Sequence, residues 1–358
     1  MITLKEIARQ CDVSVTTVSN ILNGKPKVSE ETRQRVLQVV RETGYQPNYI
    51  AQGLRRQRTQ TIAILAEDVA QFTSPGMIES IMEYCEQKGF RTIVQNLRLY
   101  GRWQDKWYDM DRDYHSVLDP MIQELLSFKV DGVIYLAGHA RIIHCFPENF
   151  QIPAVMAYAY TGSKKVPSVV IDDERSSHEM TRYLLSMGHR RIGVIGGRAD
   201  NLHTQKRLVG FQKALFEEKV LFDPQLIRYG NWNRETGFQE AEELIKDGVT
   251  AIYAMSDLMA AGVYDCIRKH GLRVGRDISV AGFDNQEFSD FLWPALTTTA
   301  LPLSMIGHEA ARILLEKIEK GLSADEQEGK VTEIAIPCTM MVRNSVCAVG
   351  EGVRQENC

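Results

Sequence analysis

The sequence predicts an all-α module at the N-terminus, followed by an α/β body of two lobes with doubly wound parallel sheets. In residues 3–43, apolar residues recur at helical spacing with cap residues between the periods. From residue 61, apolar runs of strand length alternate with amphipathic helical stretches. The two parts also differ in charge, so we expect them to contact different partners.

The first two helices are predicted to form a helix-turn-helix unit. Apolar residues recur from Leu4 to Ala8, and Asp12 tolerates the left-handed backbone of a tight turn. Ser14 is a suitable N-cap for the second helix. The second helix of such a unit lies in the DNA major groove, which makes its outward residues candidates for base reading. An ordinary helical hairpin with solvated polar residues is the alternative.

A third helix is predicted after Asn23-Gly24. Ser29 caps it, Val36, Val39 and Val40 form its inner face, and Gly44 ends it. The segment from Tyr45 to Arg56 begins with a proline and is too short to be a stable isolated helix.

The charge of the chain is divided unevenly between these parts. Residues 1–60 hold ten Lys and Arg against five Asp and Glu, whereas the remaining 298 residues hold 32 against 41. Only the small module is therefore basic, as contacts with phosphates require. The acidic remainder argues against non-specific binding of nucleic acid along the whole surface.

The body is predicted to alternate strands and helices in two sets. Such alternation is typical of parallel sheets covered on both faces, with ligands bound at the carboxyl ends of the strands. The expected strands are 61–66, 91–95, 130–136, 152–157, 168–171, 191–195, 226–229, 251–255 and 278–283, and the expected helices are 77–88, 118–128, 175–187, 204–218, 234–247 and 257–270.

The chain resembles the LacI/GalR family of transcriptional regulators. In the module, the resemblance rests on the runs T-L-K-E-I-A, V-S-V-T-T-V-S-N-I-L-N, V-S-E-E-T-R-Q-R-V and G-Y-Q-P-N-Y-I-A-Q-G-L. In the body, it rests on runs such as V-V-I-D-D, M-G-H-R-R-I-G-V-I-G-G and I-S-V-A-G-F-D-N. It covers residues 2–346 and departs at Asp12, where the family usually has glycine.

The resemblance implies a domain organisation and a function. It implies a helix-turn-helix domain at 1–46, a hinge helix and linker at 47–60, a periplasmic-binding-protein-like effector domain at 61–346 and a tail at 347–358. The protein is then expected to be a cytoplasmic homodimeric repressor of a pseudo-palindromic DNA operator. Three crossings between the lobes are expected near 158–167, 285–296 and 321–332.

The resemblance also implies which residues contact DNA. The hinge helix at 47–57 is expected to form only on DNA, with Leu54 inserted into the minor groove as an apolar wedge. The expected DNA-binding residues are Thr3, Ser14, Val15, Thr16, Thr17, Ser19, Asn20, Asn23, Asn48, Ala51 and Leu54.

A small effector is expected in the cleft between the lobes. Arg207 and Asp284 can donate to and accept from neighbouring hydroxyls, and Trp232 can stack on a sugar ring, so a sugar or sugar derivative is expected. A nucleoside or purine corepressor is the alternative ligand. The structural alternative is that Arg207 and Asp284 pair with each other and only brace the lobes.

Four weaker effector-binding candidates accompany these three residues. Phe72 and Ser74 lie in a loop that does not align with the family's Asn-Pro-aromatic pattern, and Asp172 and Ser256 can instead cap helices. The expected effector-binding residues are Phe72, Ser74, Asp172, Arg207, Trp232, Ser256 and Asp284.

Other classes of protein fit the sequence poorly. Gly193–Gly197 lacks the G-x-G-x-x-G order, and His189 reads as a structural hydrogen-bonding residue, so we expect no dinucleotide cofactor and no catalytic site. The seven cysteines are scattered without metal-ligand spacing, which favours reduced thiols and no metal. A periplasmic sugar-binding protein would lack the basic module and need a signal peptide, and no membrane contact is expected.

One segment has no family counterpart. Residues 100–114 lengthen the link after the second strand and place Trp103 and Trp107 four residues apart. A local cap over the first lobe is the simpler interpretation, and a role at the cleft mouth or a partner surface is the other.

Overall fold

The chain forms two compact units, each with its own hydrophobic core. The computed structural model describes residues 2–22, 28–45, 58–104, 111–147, 150–163, 165–321 and 333–350. The units are Met1–Thr59 and Gln60–Cys358. The expected hinge helix at 47–57 lies outside the described residues, as do Asn23 and most of the tail.

The N-terminal unit is a bundle of helices α1 (Leu4–Gln10), α2 (Val15–Leu22) and α3 (Glu30–Thr43). The predicted turn is confirmed, since Asp12 has a left-handed φ of 49°. Gly44 ends α3 in the same conformation, with φ 61°. The core is formed by Ile7, Ala8, Cys11, Val18, Ile21 and Val36.

Lobe 1 of the second unit is a parallel six-stranded sheet with helices on its faces. Its strands, in spatial order β13-β7-β5-β3-β1-β2, are β1 (Thr61–Ala66), β2 (Arg91–Asn96), β3 (Gly132–Leu136), β5 (Ala154–Ala157), β7 (Ser168–Ile171) and β13 (Glu333–Ile336). A short pair, β4 (Ile142–Ile143) and β6 (Tyr160–Thr161), lies beside it. Its helices are α4 (Ser74–Gln87), α5 (Leu99–Trp103), α6 (Asp111–Ser127) and α11 (Leu303–Glu319).

Lobe 2 is a parallel four-stranded sheet, also covered by helices. Its strands, in order β11-β10-β8-β9, are β8 (Ile192–Gly196), β9 (Ile227–Tyr229), β10 (Ala251–Ala254) and β11 (Ser279–Ala281). Strands β12 (Thr298–Ala300) and β14 (Thr339–Met341) form an antiparallel pair. The helices are α7 (Asp173–Ser186), α8 (Leu202–Glu217), α9 (Arg234–Lys246) and α10 (Asp257–Lys269).

The predicted two-lobe architecture is confirmed, but the predicted crossings between the lobes are wrong. The chain passes from lobe 1 to lobe 2 between β7 and α7, returns between β12 and α11, and passes again between β13 and β14. Segment 158–167, where the resemblance implied a crossing, instead leads into β7, a fully buried strand of lobe 1. The sequence prediction also lacks α11 and β13.

Glycines set the distance between helix pairs in lobe 2. A Cβ atom at Gly210 of α8 would overlap the backbone carbonyl of Glu174 in α7. Gly237 of α9 and Gly262 of α10 have the same relation to the backbone of Met259 and Arg234. The missing side chains let the backbones of α7 and α8, and those of α9 and α10, approach each other closely.

Candidate functional sites

The outward face of α2 is formed by the residues expected to read bases. Val15 is 37% exposed, Thr16 is exposed and Asn20 is half-buried, whereas Val18 and Ile21 are buried. The burial of one face fixes the helix on α1 and α3 and leaves the other face accessible.

Other expected DNA-binding residues hold the ends of the helices. The Thr3 hydroxyl accepts from the Glu6 backbone N–H at 3.3 Å, and the Glu6 carboxylate accepts from the Thr3 N–H at 2.8 Å. The Ser14 hydroxyl accepts from the Thr17 N–H at 3.0 Å and lies 2.8 Å from the Thr17 hydroxyl. Ser19 is half-buried on α2. Asn23, Asn48, Ala51 and Leu54 lie outside the described residues.

A cavity of about 680 Å³ lies between lobe 1 and lobe 2, at the carboxyl ends of their strands. Lobe 1 contributes loops that follow β1 and β3, and lobe 2 contributes α8, the loops after β8 and β9, and the start of α10. The lining residues include Gln71, Phe72, Tyr100, His139, Ala140, Arg141, Tyr158, Arg198, Asp200, Asn201, His203, Arg207, Asn231, Trp232, Asn233, Ser256, Asp284 and Gln286.

The structure brings most of the expected effector-binding residues into this cavity. Its lining contains Phe72, Arg207, Trp232, Ser256 and Asp284. Ser256 also caps α10, because its hydroxyl accepts from the Met259 N–H at 3.2 Å.

Two expected residues lie outside the lining. Asp172 caps α7 by accepting from the Arg175 N–H at 3.1 Å, which is the alternative that the sequence left open. Ser74 is the first residue of α4 and is fully buried.

Arg207 is held by a carboxylate that the sequence analysis did not select. Its Nε donates to Asp173 Oδ1 at 2.7 Å and its Nη1 donates to the Met255 carbonyl at 2.6 Å. Its guanidinium carbon lies 3.5 Å from the centre of the Phe283 ring and 5.7 Å from that of Trp232. Arg207 is therefore paired with Asp173, and the expected alternative of an Arg207–Asp284 pair is not what the structure forms.

His203 joins the same carboxylate to lobe 1. Its Nδ1 lies 2.7 Å from Asp173 Oδ2, and its Nε2 accepts from the Ala140 backbone N–H at 3.0 Å. Because an amide N–H only donates, Nε2 carries no proton and Nδ1 donates to Asp173. Burial lowers the pKa of His203, and the nearby Arg207 and Lys206 charges act in the same direction against the raising effect of Asp173. His203 is thus a neutral link between the lobes.

Asp284 is the acidic group of the cavity that has no arginine partner in the described structure. Its backbone φ is 115°, and its carboxylate accepts from the Gln286 amide at 3.4 Å. Burial and the neighbouring Asp257 carboxylate raise the pKa of Asp284 well above its usual range. Burial also raises the pKa of Asp257 to about 7, although Thr298 and the Gln286 N–H donate to it.

Glu67 organises the lobe 1 wall of the cavity. Its carboxylate accepts from the Tyr135 hydroxyl and the Gly138 N–H, both at 2.7 Å. Arg141, which lines the cavity, donates to both carboxylate oxygens at 2.5 and 3.1 Å. Glu67 directly follows the buried strand β1, a position where the fold class places ligand-site residues, and this signal could have found it.

The aromatic insert contributes to the cleft and to the core. Tyr100 of α5 lines the cavity and is 55% exposed, and its N–H donates to Asp68 at 2.6 Å. Trp103 packs against the lobe 1 core. The first part of the insert therefore lies both against the lobe 1 core and at the cavity, while Trp107 lies outside the described residues.

Comparisons with known proteins assign the chain to a protein family. Residues 3–48 match the family model "Bacterial regulatory proteins, lacI family", and residues 181–346 match "Periplasmic binding protein-like domain". The transcriptional regulator DegA of Bacillus subtilis is 30% identical over 348 residues, covering 96% of this chain and 97% of its own. The chain belongs to the lacI family.

Other members of the lacI family agree with this assignment. Catabolite control protein A of Priestia megaterium is 28% identical over 323 residues, with 89% of this chain and 93% of that protein covered. The lac repressor dimer bound to operator and the anti-inducer ONPF has a similar fold, with a TM-score of 0.75 and 24% identity over 97% of this chain and 99% of its own. The predicted identity as a DNA-binding transcriptional regulator, rather than an enzyme, is confirmed.

Within the described part of the chain, no helix has both the length and the apolar character needed to span a bilayer. The same residues contain no group of three or more His, Cys, Asp or Glu side chains arranged to hold a metal ion.

We predict that His203→Asn weakens the link between the lobes. Asparagine can still donate to Asp173 but is too short to reach Ala140, so one buried hydrogen bond is lost, at about 1 kcal/mol in the free energy of unfolding. Because the pKa of His203 is lowered in the fold, its contribution is complete above the ordinary histidine pKa of about 6.5 and is lost as pH falls below it.

Urea unfolding of the parent and the variant near neutral pH and at about pH 5 measures this difference. The difference in the free energy of unfolding between the parent and the variant should be smaller at about pH 5 than near neutral pH. His115→Asn, on the surface of α6, is the matched control and should change little. A gap that stays constant with pH would contradict the neutral interlobe link.

Proposed function

We propose that this protein is a cytoplasmic, homodimeric repressor whose affinity for a pseudo-palindromic operator is set by a small effector in the interlobe cavity. Membership of the lacI family supports the DNA-binding half. The convergence of Arg207, Trp232 and Asp284 on one cavity is the observation that carries the effector half. The proposed domains are 1–46, 47–60, 61–346 and 347–358.

Base reading is proposed for the outward residues of α2. Neither Val15 nor Thr16 can make a bidentate contact with a base, so their methyl groups are suited to thymine methyls. Asn20 can donate to and accept from adenine in one plane. The caps at Thr3 and Ser14 would hold the helices in the orientation that this reading needs.

Folding of residues 47–57 on DNA is proposed as the link between effector and operator. Gly53 in the interior of this segment costs about 1 kcal/mol of helix stability relative to alanine. A helix this short does not nucleate alone. DNA contacts, with Leu54 opening a base step, would supply the missing stabilisation when the two segments of a dimer meet.

A sugar or sugar derivative is the proposed effector. Trp232 is fixed beside Gly197, where a Cβ atom would overlap its ring, and it offers an aromatic surface to the cavity. Amide side chains at Gln71, Asn231, Asn233 and Gln286 offer both donors and acceptors to hydroxyls. A nucleoside or purine uses the same groups and is the second ligand class to test.

Homodimerisation is proposed through apolar side chains exposed on both lobes. On lobe 2, Phe291 is 78% exposed and Trp293 is 84% exposed. On lobe 1, β2 is one of the two edge strands of the sheet, and Val94 on it and Met82 on α4 are each 38% exposed. Paired surfaces of this kind suit an isologous contact between two copies.

We predict that Asn20→Ala relaxes base preference at one position in each half-site. The loss of a bidentate contact should cost about 1–3 kcal/mol of discrimination at that position. Selection of bound sequences from random DNA measures the preference. Gln38→Ala, which removes a similar amide from α3, is the control and should keep the parent consensus. An unchanged consensus for the Asn20 variant would remove Asn20 from the reading surface.

We predict that Trp293→Glu weakens the dimer. Burying a charge in place of an aromatic anchor should cost at least about 2 kcal/mol, or about 30-fold in the dimer dissociation constant. Sedimentation equilibrium over a range of concentrations measures it. Leu221→Glu, at a lobe 2 position that is 93% exposed, is the control and should associate like the parent. If both variants match the parent, the dimer surface lies elsewhere.

A further inference from the structure

We propose that the effector is an uncharged molecule. The inference rests on the proposed function, and it narrows the ligand class of that same cavity. The observation behind it is that each arginine lining the cavity already has a carboxylate partner within the protein.

Two of these ion pairs are buried in the walls of the cavity. Arg207 and Asp173 are 2% and 1% exposed at their side chains and lie 2.7 Å apart. On the opposite wall, Arg141 grips both oxygens of Glu67, whose side chain is 1% exposed. A ligand anion near either arginine would also approach the buried carboxylate behind it.

The third pair also lines the cavity and is the most exposed of the three. Arg198 donates from Nε and Nη2 to the two oxygens of Asp200, at 3.0 and 2.8 Å. Its side chain is 33% exposed and that of Asp200 is 66% exposed. This ion pair is more exposed to water than the other two. A substitution that removes its carboxylate is therefore the least disruptive way to change the net charge of the cavity lining.

The remaining titratable groups in the lining add little charge. Burial lowers the pKa of His139 to about 3 and also lowers that of His203, so both imidazoles are neutral. Burial and Asp257 raise the pKa of Asp284, which favours its protonated form. A protonated Asp284 can donate a hydrogen bond as well as accept one.

A charged effector would gain too little in such a cavity to replace its hydration. Transfer of an ion from water is repaid only by an opposite charge in good geometry, and here those charges already have partners. A neutral polyol, base or nucleoside needs only neutral donors and acceptors. Gln71, Asn201, Asn231, Asn233 and Gln286 supply them from both lobes.

Calorimetric titration of the full-length protein with matched pairs of ligands tests this inference. The pairs are glucose and glucose 6-phosphate, ribose and ribose 5-phosphate, and adenosine and adenosine monophosphate, with inorganic phosphate alone as a further probe. We expect at least one uncharged member to bind and its phosphorylated partner to bind at least about tenfold more weakly.

A variant separates charge from size as the cause of this discrimination. Asp200→Asn removes the carboxylate partner of Arg198 with almost no change in volume. The variant should reduce the affinity ratio between the uncharged ligand and its phosphorylated counterpart by about threefold. The effect is this small because the Arg198–Asp200 ion pair is partly exposed. Three results would overturn the inference: a phosphorylated member that binds as tightly as its parent, no binding by any uncharged member, or unchanged discrimination in the variant.

Operator binding in the presence of each ligand distinguishes this inference from the proposed function. If an uncharged ligand binds without changing operator affinity, effector control fails and the inference about charge stands. If a phosphorylated ligand binds best and changes operator affinity, effector control stands and the inference about charge fails.

Discussion

The carboxylate of Asp173 is the interaction on which the effector domain depends. It is the first residue of α7, where the chain passes from lobe 1 to lobe 2, and it holds Arg207 and His203 at 2.7 Å each. Burial alone would raise its pKa, but these two partners outweigh burial and lower it. Loss of this carboxylate would leave a buried guanidinium unpaired, at about 3–5 kcal/mol. Through His203 and Ala140, the same carboxylate connects both walls of the cavity.

Much of the fold could be predicted because its signals are local. Buried strand runs such as 61–66 and 168–171 are found where the sequence places them, and the turn at Asp12 follows from the tolerance of that residue for positive φ. The crossings between the lobes could not be placed in this way. Their positions were implied by the resemblance alone, and the neighbours of β13 in the sheet are set by contacts distant in sequence.

In the cavity, too, the lining residues could be predicted from local sequence signals, whereas contacts between residues distant in the sequence could not. Phe72, Arg207, Trp232, Ser256 and Asp284 were expected from the sequence, and the structure brings them to one cavity. The carboxylate partner of Arg207 was not expected, because Asp172 and Asp173 are adjacent and both suit the start of a helix. Only the packing of α8 on α7 shows that the first caps the helix while the second is turned inward.

We propose that effector and operator act on one conformational equilibrium of this lacI family member. The most direct test measures two factors with an effector identified by titration: its effect on operator affinity, and the effect of operator on effector affinity. Linkage requires the two factors to be equal, and we expect both to differ from one, by about 5-fold to 150-fold. A ligand that binds the cavity while leaving operator affinity unchanged would contradict the account.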